Sequence, residues 1–381
     1  MEPVATTVSD VYHETREPGN RGGRSRPVRG EGDPATRPVQ TVVVSVVVAG
    51  AILVMALVML ADSGGDASPG SPPARPLESS PRAFSADSWW NTPLPDDAPL
   101  DPHAQEVLDY LRTGPESGRG CLSLAGAGES YWGQPVYDAR PGDPSYDVQG
   151  LAQPLAELER LRIPVGARAA QNSDLSMSVY DRHKGYVVAL SGARYDAERD
   201  EWSAEGATVT YLASNGLHVA TGRSDDPRNR GSHRGNNGAT MAVELDEVRA
   251  GAIRHVLKAA SGPEVADRSV FPMVGSDGDY HGSDPGVPPQ GLRLRIKPSV
   301  DLESLGLQPE ALVIARALQT YGFYIGDSGG TSALKLQNTW VEGRGQVWSV
   351  SADALCGMPF TSQYWDVVAE GYDPTRPGRR P

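Results

Sequence analysis

The chain has 381 residues, of which 39% are hydrophobic and 22% are charged, so it can bury a sizeable core. Its formal net charge is -13, which argues against a nucleic-acid partner because phosphate binding needs a basic face. The 43 glycines and 32 prolines argue against a helical bundle, since both residues interrupt helices.

A long apolar segment follows a polar N-terminus. Residues 1–40 are rich in Gly, Arg, Pro and Glu, which predicts a disordered cytoplasmic segment. Residues 41–61 carry no charge, and about 20 apolar residues suffice to cross a bilayer as a helix. Six arginines precede this segment and two follow it closely, which predicts a cytoplasmic N-terminus. The sequence therefore predicts a single-pass cell-membrane protein with its main domain outside the cytoplasm.

A cleaved signal peptide is the alternative to this signal anchor. Its apolar region would be shorter and would end at a small-x-small cleavage site. Met59-Leu60-Ala61 fits that site poorly, so the uncleaved anchor is favoured. Beyond it, residues 62–83 are expected to form a Pro/Ser/Gly-rich linker, residues 84–373 a globular domain and residues 374–381 a disordered tail.

Short strands and two helices are predicted within the globular domain. β-prone runs between turn residues lie at 177–181, 186–191, 207–212, 240–245 and 346–351. Helices are predicted near 246–260 and near 309–321, where Pro309 suits a first turn and Gly322 suits a stop. This content favours a mainly β fold, an antiparallel β-sandwich or jelly-roll-like single domain behind the transmembrane helix.

Cys121 and Cys356 are the two cysteines of the chain. Outside the cytoplasm such a pair is a candidate disulfide, which would tie the start of the domain to its end. Two separate buried thiols are the alternative. Because the sequence has no CxxC motif and no Cys/His cluster, neither a metal site nor a cofactor is predicted.

The clearest candidate for ligand binding is the strand-like run GLRLRIKP at 291–298. Side chains alternate along a strand, so Arg293, Arg295 and Lys297 share one face. Arginine suits paired contacts with carboxylate or phosphate, so this face is interpreted as a platform for an acidic glycan. A solvated face paired with local carboxylates is the alternative.

A polar loop and a helical histidine supply further candidates. The loop at 225–240 carries His233, a candidate general base, and Asn236 and Asn237, which could bind hydroxyl or carboxylate oxygens. A surface loop without a role in catalysis is the alternative. His255 lies beside Arg254 in the predicted helix at 246–260, where a packed histidine is the alternative to a catalytic one.

Two motifs resemble known sites but lack essential partners. GDSGG at 326–330 matches the nucleophile motif of chymotrypsin-like serine proteases, with Ser328 as nucleophile. No histidine lies in the context that this mechanism needs, and a Gly-rich turn explains the residues. SDGDYHGSD at 276–284 resembles the start of a calcium loop but lacks its final Glu, so it is interpreted as an acidic turn.

Four blocks in order resemble a widespread group of secreted bacterial proteins of unassigned function: WWNTPLPDDAPLDP, VRAGAIRHVLK, VPPQGLRLRIKPSVDL and ARALQTYGFYIGDSGG. Corresponding blocks in the group look like WN-P-P-DAP-DP, AGEIRHALRF, PPMGLRLRLKASFDI and ALKKYGMIVADNGS. The group commonly has Asn-Gly where this chain has Ser328-Gly329, which weakens the protease interpretation. The resemblance implies one fold and secretion but no reaction. Positions that match the pattern are Arg254, His255, Arg293, Arg295, Lys297, Tyr321 and Asp327.

Two classes of function follow as hypotheses. The first is a carbohydrate-active enzyme, a lyase or a glycoside hydrolase, that acts on an acidic or cell-envelope polysaccharide. Its catalytic candidates are His233, His255, Tyr321 and Asp327. The second is a non-catalytic envelope domain that binds glycan or protein through the same surface. A serine protease is the remote alternative.

Overall fold

The computed structural model describes residues 83–127, 132–231, 234–235, 237–345 and 347–376. The predicted transmembrane helix at 41–61 lies outside these residues, as do segment 1–40 and nearly all of linker 62–83. Within the described ranges, none of the helices is long and apolar enough to cross a membrane.

The larger of two main sheets has six strands and is mixed. In spatial order its strands are β1 (Ser123–Ala125), β14 (Ala333–Lys335), β11 (Leu257–Ser261), β13 (Phe323–Ser328), β12 (Arg293–Ile296) and β15 (Trp365–Val367). β1 runs parallel to β14, and β11 runs parallel to β13. The other neighbours are antiparallel. Strands β11, β12 and β13 therefore lie inside the sheet, with neighbours on both sides.

The smaller main sheet has five strands. In spatial order they are β10 (Arg230–Gly231), β9 (Gly206–Tyr211), β6 (Tyr186–Ser191), β5 (Met177–Asp181) and β2 (Val136–Asp138). Only the pair β2 and β5 is parallel. Two short antiparallel pairs accompany this sheet: β3 (Ser145–Tyr146) with β4 (Leu161–Arg162), and β7 (Arg194–Asp196) with β8 (Glu201–Ser203).

The described residues contain three α-helices: α1 (Ala104–Thr113), α2 (Leu245–Arg249) and α3 (Pro309–Thr320). α3 begins with Pro309, whose missing N–H is not needed in a first turn. The chain then turns at Gly322, whose φ of 72° lies in the left-handed region. A Cβ atom at Gly322 would overlap the carbonyl oxygen of Leu294, so this stop brings α3 close against β12.

Each main sheet has its own apolar core. The larger core joins the three helices to the six-stranded sheet, with Leu108, Ile314, Leu318 and Phe323 among its buried residues. A separate cluster covers the five-stranded sheet. A third cluster is aromatic and packs Trp89 and Trp90 against Tyr324, with the Trp90 and Tyr324 ring centroids 5.5 Å apart.

The predicted disulfide is confirmed. Cys121 and Cys356 are bonded, with their Cα atoms 5.1 Å apart and 235 residues apart in the sequence. The bond links a residue just before β1 to the segment that precedes β15. It therefore encloses most of the globular domain in one covalent loop.

Several predicted elements are confirmed. The fold is mainly β, although its sheets are mixed rather than purely antiparallel. The runs at 177–181 and 186–191 are β5 and β6, the run at 207–212 overlaps β9, and the helix near 309–321 is α3. In these segments the pattern of apolar, β-prone or helix-capping residues lies within the segment itself, so it can be identified without knowing which distant residues it contacts.

Three predicted elements are wrong. The helix predicted near 246–260 ends at Arg249, and residues 257–261 form β11. Gly251, with a φ of 80°, breaks the helix, and Leu257 then pairs with Phe323 of β13. The run at 240–245 forms a turn and the first residue of α2, and residues 347–351 form no strand.

Candidate functional site

A cleft of about 970 Å³ lies between the two main sheets. One wall comes from β1, β11, β13 and β14, and the other comes from β6 and β9. Ligand sites of small molecules and short polymers are concave and of this size.

Charged side chains from three neighbouring strands meet at this cleft. Asp327 of β13 is paired in register with Ala260 of β11, and Ala260 with Ala333 of β14. Lys258 lies two residues before Ala260, and Lys335 lies two residues after Ala333. Because strand side chains alternate, Lys258, Asp327 and Lys335 point to the same face. The register shift between β11 and β13 at Ala259/Ala260 is a bulge, a feature often found beside active sites.

The Asp327 carboxylate is surrounded by three cations. Its Oδ2 lies 3.2 Å from Lys258 Nζ and 3.5 Å from Lys335 Nζ. Its Oδ1 accepts a hydrogen bond from Arg234 Nη1. Burial alone would raise the pKa of Asp327, but Lys258, Lys335 and Arg234 together hold that pKa well below its usual range. Asp327 is therefore ionised at any physiological pH.

Lys258 is a buried amine at this site. It is 7% exposed, and burial lowers its pKa to about 8 although Asp327 favours the charged form. A lysine with this pKa is partly neutral in mildly alkaline solution and can then accept a proton.

Asp277 is a second carboxylate that accepts a hydrogen bond from the Arg234 guanidinium. Arg234 Nη1 lies 2.6 Å from Asp277 Oδ2 and also donates to Asp327. Gln290 Nε2 donates to the other oxygen of Asp277. Burial raises the pKa of Asp277, and the nearby negative Asp327 raises it further, against the opposing effect of Arg234. The pKa values of two neighbouring carboxyl groups thus move in opposite directions, a pattern typical of an acid and its ionised partner. Arg234, Lys258, Asp277, Asp327 and Lys335 are named the charged cluster below.

The rest of the cleft offers apolar and polar surface. Trp132 lines it and is 48% exposed, which is unusual for so large an apolar side chain. Gln134 and Thr208 add hydrogen-bonding groups to the lining. Such a mixture suits a ligand that has both ring faces and hydroxyl groups.

The GDSGG turn forms one edge of the cleft. Gly329 and Gly330 have φ values of 120° and 69°, which favour glycine, and they turn the chain directly after β13. Ser328 lines the cleft beside Asp327. Among the described residues, no histidine is hydrogen-bonded to Ser328, so the described part of the chain shows no catalytic triad.

The predicted cationic platform on β12 is not a surface. Arg293 is 4% exposed and Arg295 is 1% exposed. Arg293 Nε donates to the Tyr321 carbonyl at 2.7 Å, and its guanidinium lies 4.7 Å from the Trp89 ring centre. Arg295 donates to the carbonyls of Pro95 and Asp96 at 2.7 and 2.8 Å. The expectation that these side chains form an exposed row is wrong for both arginines, because β12 is an inner strand and residues 89–96 cover that face.

Lys297 and Tyr321 also lie away from the cleft. Lys297 is partly exposed, and its Nζ lies 3.8 Å from Asp366 Oδ1. Tyr321 is 8% exposed within the aromatic cluster, and its carbonyl accepts the hydrogen bond from Arg293. Neither side chain lines the cleft.

His255 belongs to a separate buried group. Its Nε2 lies 3.0 Å from Glu247 Oε2, and its Nδ1 lies 2.8 Å from the Val256 carbonyl. Burial would lower the pKa of His255, but Glu247 raises it to about 8. Nearby, burial and then Glu247 raise the pKa of Glu244 to about 8. Neither His255 nor the exposed Arg254 lines the cleft.

The remaining predicted residues come from the loop at 225–240. His233 and Asn236 lie outside the described residues. Asn237 is 4% exposed, and its Nδ2 lies 3.4 Å from the Val187 carbonyl and 3.3 Å from Thr210 Oγ1, so it ties the loop to the five-stranded sheet. Of the predicted catalytic and ligand-binding residues that the structure describes, Asp327 lines the cleft, as does Ser328 of the GDSGG motif.

Four members of the charged cluster were not predicted as site residues. Lys258 was assigned to a helix, Asp277 to an acidic turn, and Arg234 and Lys335 carry no motif. The members span 101 residues from Arg234 to Lys335, and only the strand order brings them together. One usable signal was Gly251, which should have ended the helix and left Leu257–Ser261 as a strand.

No protein-family model matches the chain. No curated protein and no solved structure matches it either. The chemistry of the cleft therefore has to be argued from its own geometry.

Proposed function

We propose that the chain is a glycoside hydrolase that acts on a cell-envelope polysaccharide, with the cleft as its active site. The observation that carries the proposal is the pair Asp277 and Asp327 on one nitrogen of Arg234, with pKa values moved in opposite directions. Glycosidases need one protonated and one ionised carboxyl group across the bond that breaks.

The roles of the two carboxyl groups follow from their surroundings. Asp277, whose pKa is raised, would protonate the glycosidic oxygen as the sugar–oxygen bond breaks. Asp327, held ionised by its three cations, would face the positive charge that develops on the sugar ring and bond to the ring carbon; water would then displace Asp327 and give its proton to Asp277. Two carboxylates that share one hydrogen-bond donor are close together, as in enzymes that retain the anomeric configuration, where the separation is about 5 to 5.5 Å.

The lining of the cleft supports a sugar ligand. Trp132 offers an exposed aromatic surface on which a sugar ring can stack. Ser191 and Ser328 line the cleft, are at least partly exposed, and can donate to or accept from sugar hydroxyl groups.

The test is a screen of the full-length chain against envelope and uronate polysaccharides, read by reducing ends. Asp277→Asn and Asp327→Asn are each expected to lower the rate by about 10³-fold. Glu303→Gln, an exposed carboxylate-to-amide change that pairs only with Arg316 on the surface, is the matched control and should keep the rate. Activity that survives both aspartate variants would overturn the proposal.

A lyase is the second candidate, and Lys258 favours it. A buried lysine with a pKa of about 8 could take the proton beside a uronate carboxylate; the bond to the neighbouring sugar's oxygen then breaks, that oxygen takes a proton from Asp277, and a double bond forms. Arg234 and Lys335 would stabilise the enolate charge. The same screen separates the two reactions, because a lyase releases unsaturated uronates that absorb short-wavelength ultraviolet light and a hydrolase does not.

We further propose the setting of this activity. The domain would form a sandwich-like or jelly-roll-like fold, be held outside the cell membrane by residues 41–61, and belong to the secreted bacterial group that its four sequence blocks resemble. Protease treatment of intact cells should cut the domain, and protection from the protease would contradict this location. Retention on a polysaccharide without any product would instead favour a non-catalytic glycan-binding domain.

A further inference from the structure

A second hollow of about 470 Å³ lies beside the short strand pairs β3–β4 and β7–β8, which contribute residues to its lining. Its lining includes three aromatic residues, Tyr146, Tyr195 and Trp202, together with Val165 and Arg168. Tyr195 is 45% exposed and Val165 is 57% exposed. We call it the aromatic hollow.

The aromatic side chains of the hollow are fixed by one another. Tyr195 of β7 is paired in register with Trp202 of β8, and their ring centroids are 5.3 Å apart with an interplanar angle of 37°. Tyr146 meets Tyr195 edge-on at 6.2 Å. Trp202 is only 4% exposed, so it supports Tyr195 from the protein side. The result is an ordered, half-exposed aromatic ring of the kind that stacks on sugars.

The hollow also carries a positioned cation. Among the described residues that line it, Arg168 is the only charged one. Its backbone is fixed by buried Tyr137, whose hydroxyl donates to the Arg168 carbonyl at 2.8 Å and lies 3.0 Å from the Arg168 amide nitrogen. No described carboxylate lies within ion-pair distance of the exposed Arg168 side chain. On a chain of net charge -13, this is a local complement for an anionic group.

The hollow borders the cleft. Gly192 lines the cleft and the next residue, Ala193, lines the hollow. Consecutive Cα atoms are about 3.8 Å apart, so the backbone at 192–193 separates two neighbouring depressions. On the following strand, Trp202 lines the hollow while Glu205, three residues on, lines the cleft. A polymer long enough to pass this backbone segment could contact both depressions.

We propose that the aromatic hollow is an accessory subsite for an anionic sugar unit of the polysaccharide that the cleft binds. Tyr195 stacks on the ring of that unit, and Arg168 binds its carboxylate or phosphate. This inference rests on the proposed function for the identity of the polymer. It adds the substrate class, since the three cations of the charged cluster already have carboxylate partners in Asp174, Asp277 and Asp327.

Binding to the full-length chain carrying Asp327→Asn tests the subsite apart from catalysis. The probes are hexameric oligogalacturonate, its methyl ester, and a glycerol-phosphate oligomer, measured by calorimetry. Oligogalacturonate should bind, and Tyr195→Ala and Arg168→Gln should each raise its Kd by about tenfold or more. Tyr195→Phe keeps the ring and should bind as the parent does, which excludes misfolding as the cause of a loss.

Matched controls change similar residues elsewhere. Trp340→Ala removes an aromatic side chain that is 58% exposed, and Arg199→Gln removes an exposed arginine of the β7–β8 turn that does not line the hollow. Both should change Kd less than twofold. Equal binding of the methyl ester, or a Kd unchanged by Tyr195→Ala and Arg168→Gln, would overturn the anionic subsite. Selective binding of the glycerol-phosphate oligomer would support the subsite and assign its anion as phosphate.

Kinetics with the chain that keeps Asp327 separates this inference from the proposed function. Tyr195→Ala should raise KM for long oligosaccharides about tenfold and leave kcat/KM for the shortest cleaved oligosaccharide unchanged. Anionic binding at the hollow in a chain without hydrolytic activity would contradict the proposed function but support the hollow as a glycan site. An equal loss on long and short substrates would contradict the accessory role.

Discussion

β12 and β11 lie on opposite sides of β13, and both carry cations, yet the two sets of cations have different partners. Arg293 and Arg295 of β12 donate mainly to backbone carbonyls and are buried under residues 89–96. Lys258 of β11 meets the carboxylate of Asp327 at a cleft. A buried cation that is held by fixed backbone oxygens is closed to a ligand. A cation that shares a carboxylate with two others can exchange partners when a substrate or proton arrives.

The largest expected effect is on the hydrolysis rate, which should depend on the cleft and not on the buried arginines of β12. Arg293→Met and Asp327→Asn each remove one charge next to β13, but only Asp327 lines the cleft. Asp327→Asn should lower the hydrolysis rate per folded molecule by about 10³-fold, and it should also lower stability because three cations lose their shared partner. Rates normalised to folded protein would check this, and an equal loss in the Arg293→Met chain would remove the distinction between the regions.

Arg295 provides the largest expected change in stability. Arg295→Ala leaves Asp366 and two backbone carbonyls without their donor in a buried place, which costs about 3 to 5 kcal/mol. Chemical denaturation gives the free energy of unfolding. Lys335→Ala, at the more open cleft, should cost clearly less, and a larger cost there than at Arg295 would contradict the contrast.

Lys258 should affect the pH profile more than stability. Lys258→Met removes a cation that lowers the pKa of Asp327, so that pKa must rise. The rate then falls off at a higher pH on the acidic side than in the unchanged chain, because ionised Asp327 is needed. The free energy of unfolding should fall less than in Arg295→Ala, since Asp327 keeps Lys335 and Arg234 as partners. A pH–rate profile whose acidic limb stays at the same pH in Lys258→Met would contradict this electrostatic role of Lys258.

A separate pH dependence of stability comes from the buried group beside α2, which lies outside both regions and should not affect the reaction. Folding raises the pKa of His255 from 6.5 to about 8 and that of Glu244 from 4.5 to about 8. The folded chain therefore holds more protons than the unfolded chain between these values, so the free energy of unfolding falls as pH rises. The His255 contribution is complete below about pH 6.5 and is lost as pH passes 8.

Denaturation at several pH values checks this dependence. Glu244→Gln should flatten the fall between pH 5 and 8 because it removes one of the two groups that bind protons on folding. Glu247, Tyr180 and Arg182 surround this group and remain in the variant. Stability that rises with pH over the same range would contradict the assignment.

The contrast between β12 and β11 also explains which features could be predicted from the sequence. β5, β6 and α3 carry their patterns within one segment, and the disulfide follows from two cysteines and an expected compartment. Strand alternation correctly grouped Arg293 with Arg295, but which face is covered depends on residues 200 positions earlier in the chain. Lys258 was missed because its apolar neighbours fit a helix until Gly251 is considered. The charged cluster exists only through strand order, which local patterns do not contain.

The most direct measurement is a crystal structure of the Asp277→Asn chain with a fragment of the polysaccharide that it cleaves. The account predicts a glycosidic oxygen beside residue 277 and the adjoining ring carbon facing Asp327, with the sugar chain leading toward Tyr195. A sugar bound outside the cleft, or one whose acidic carbon faces Lys258 while Asp327 stays remote, would contradict it.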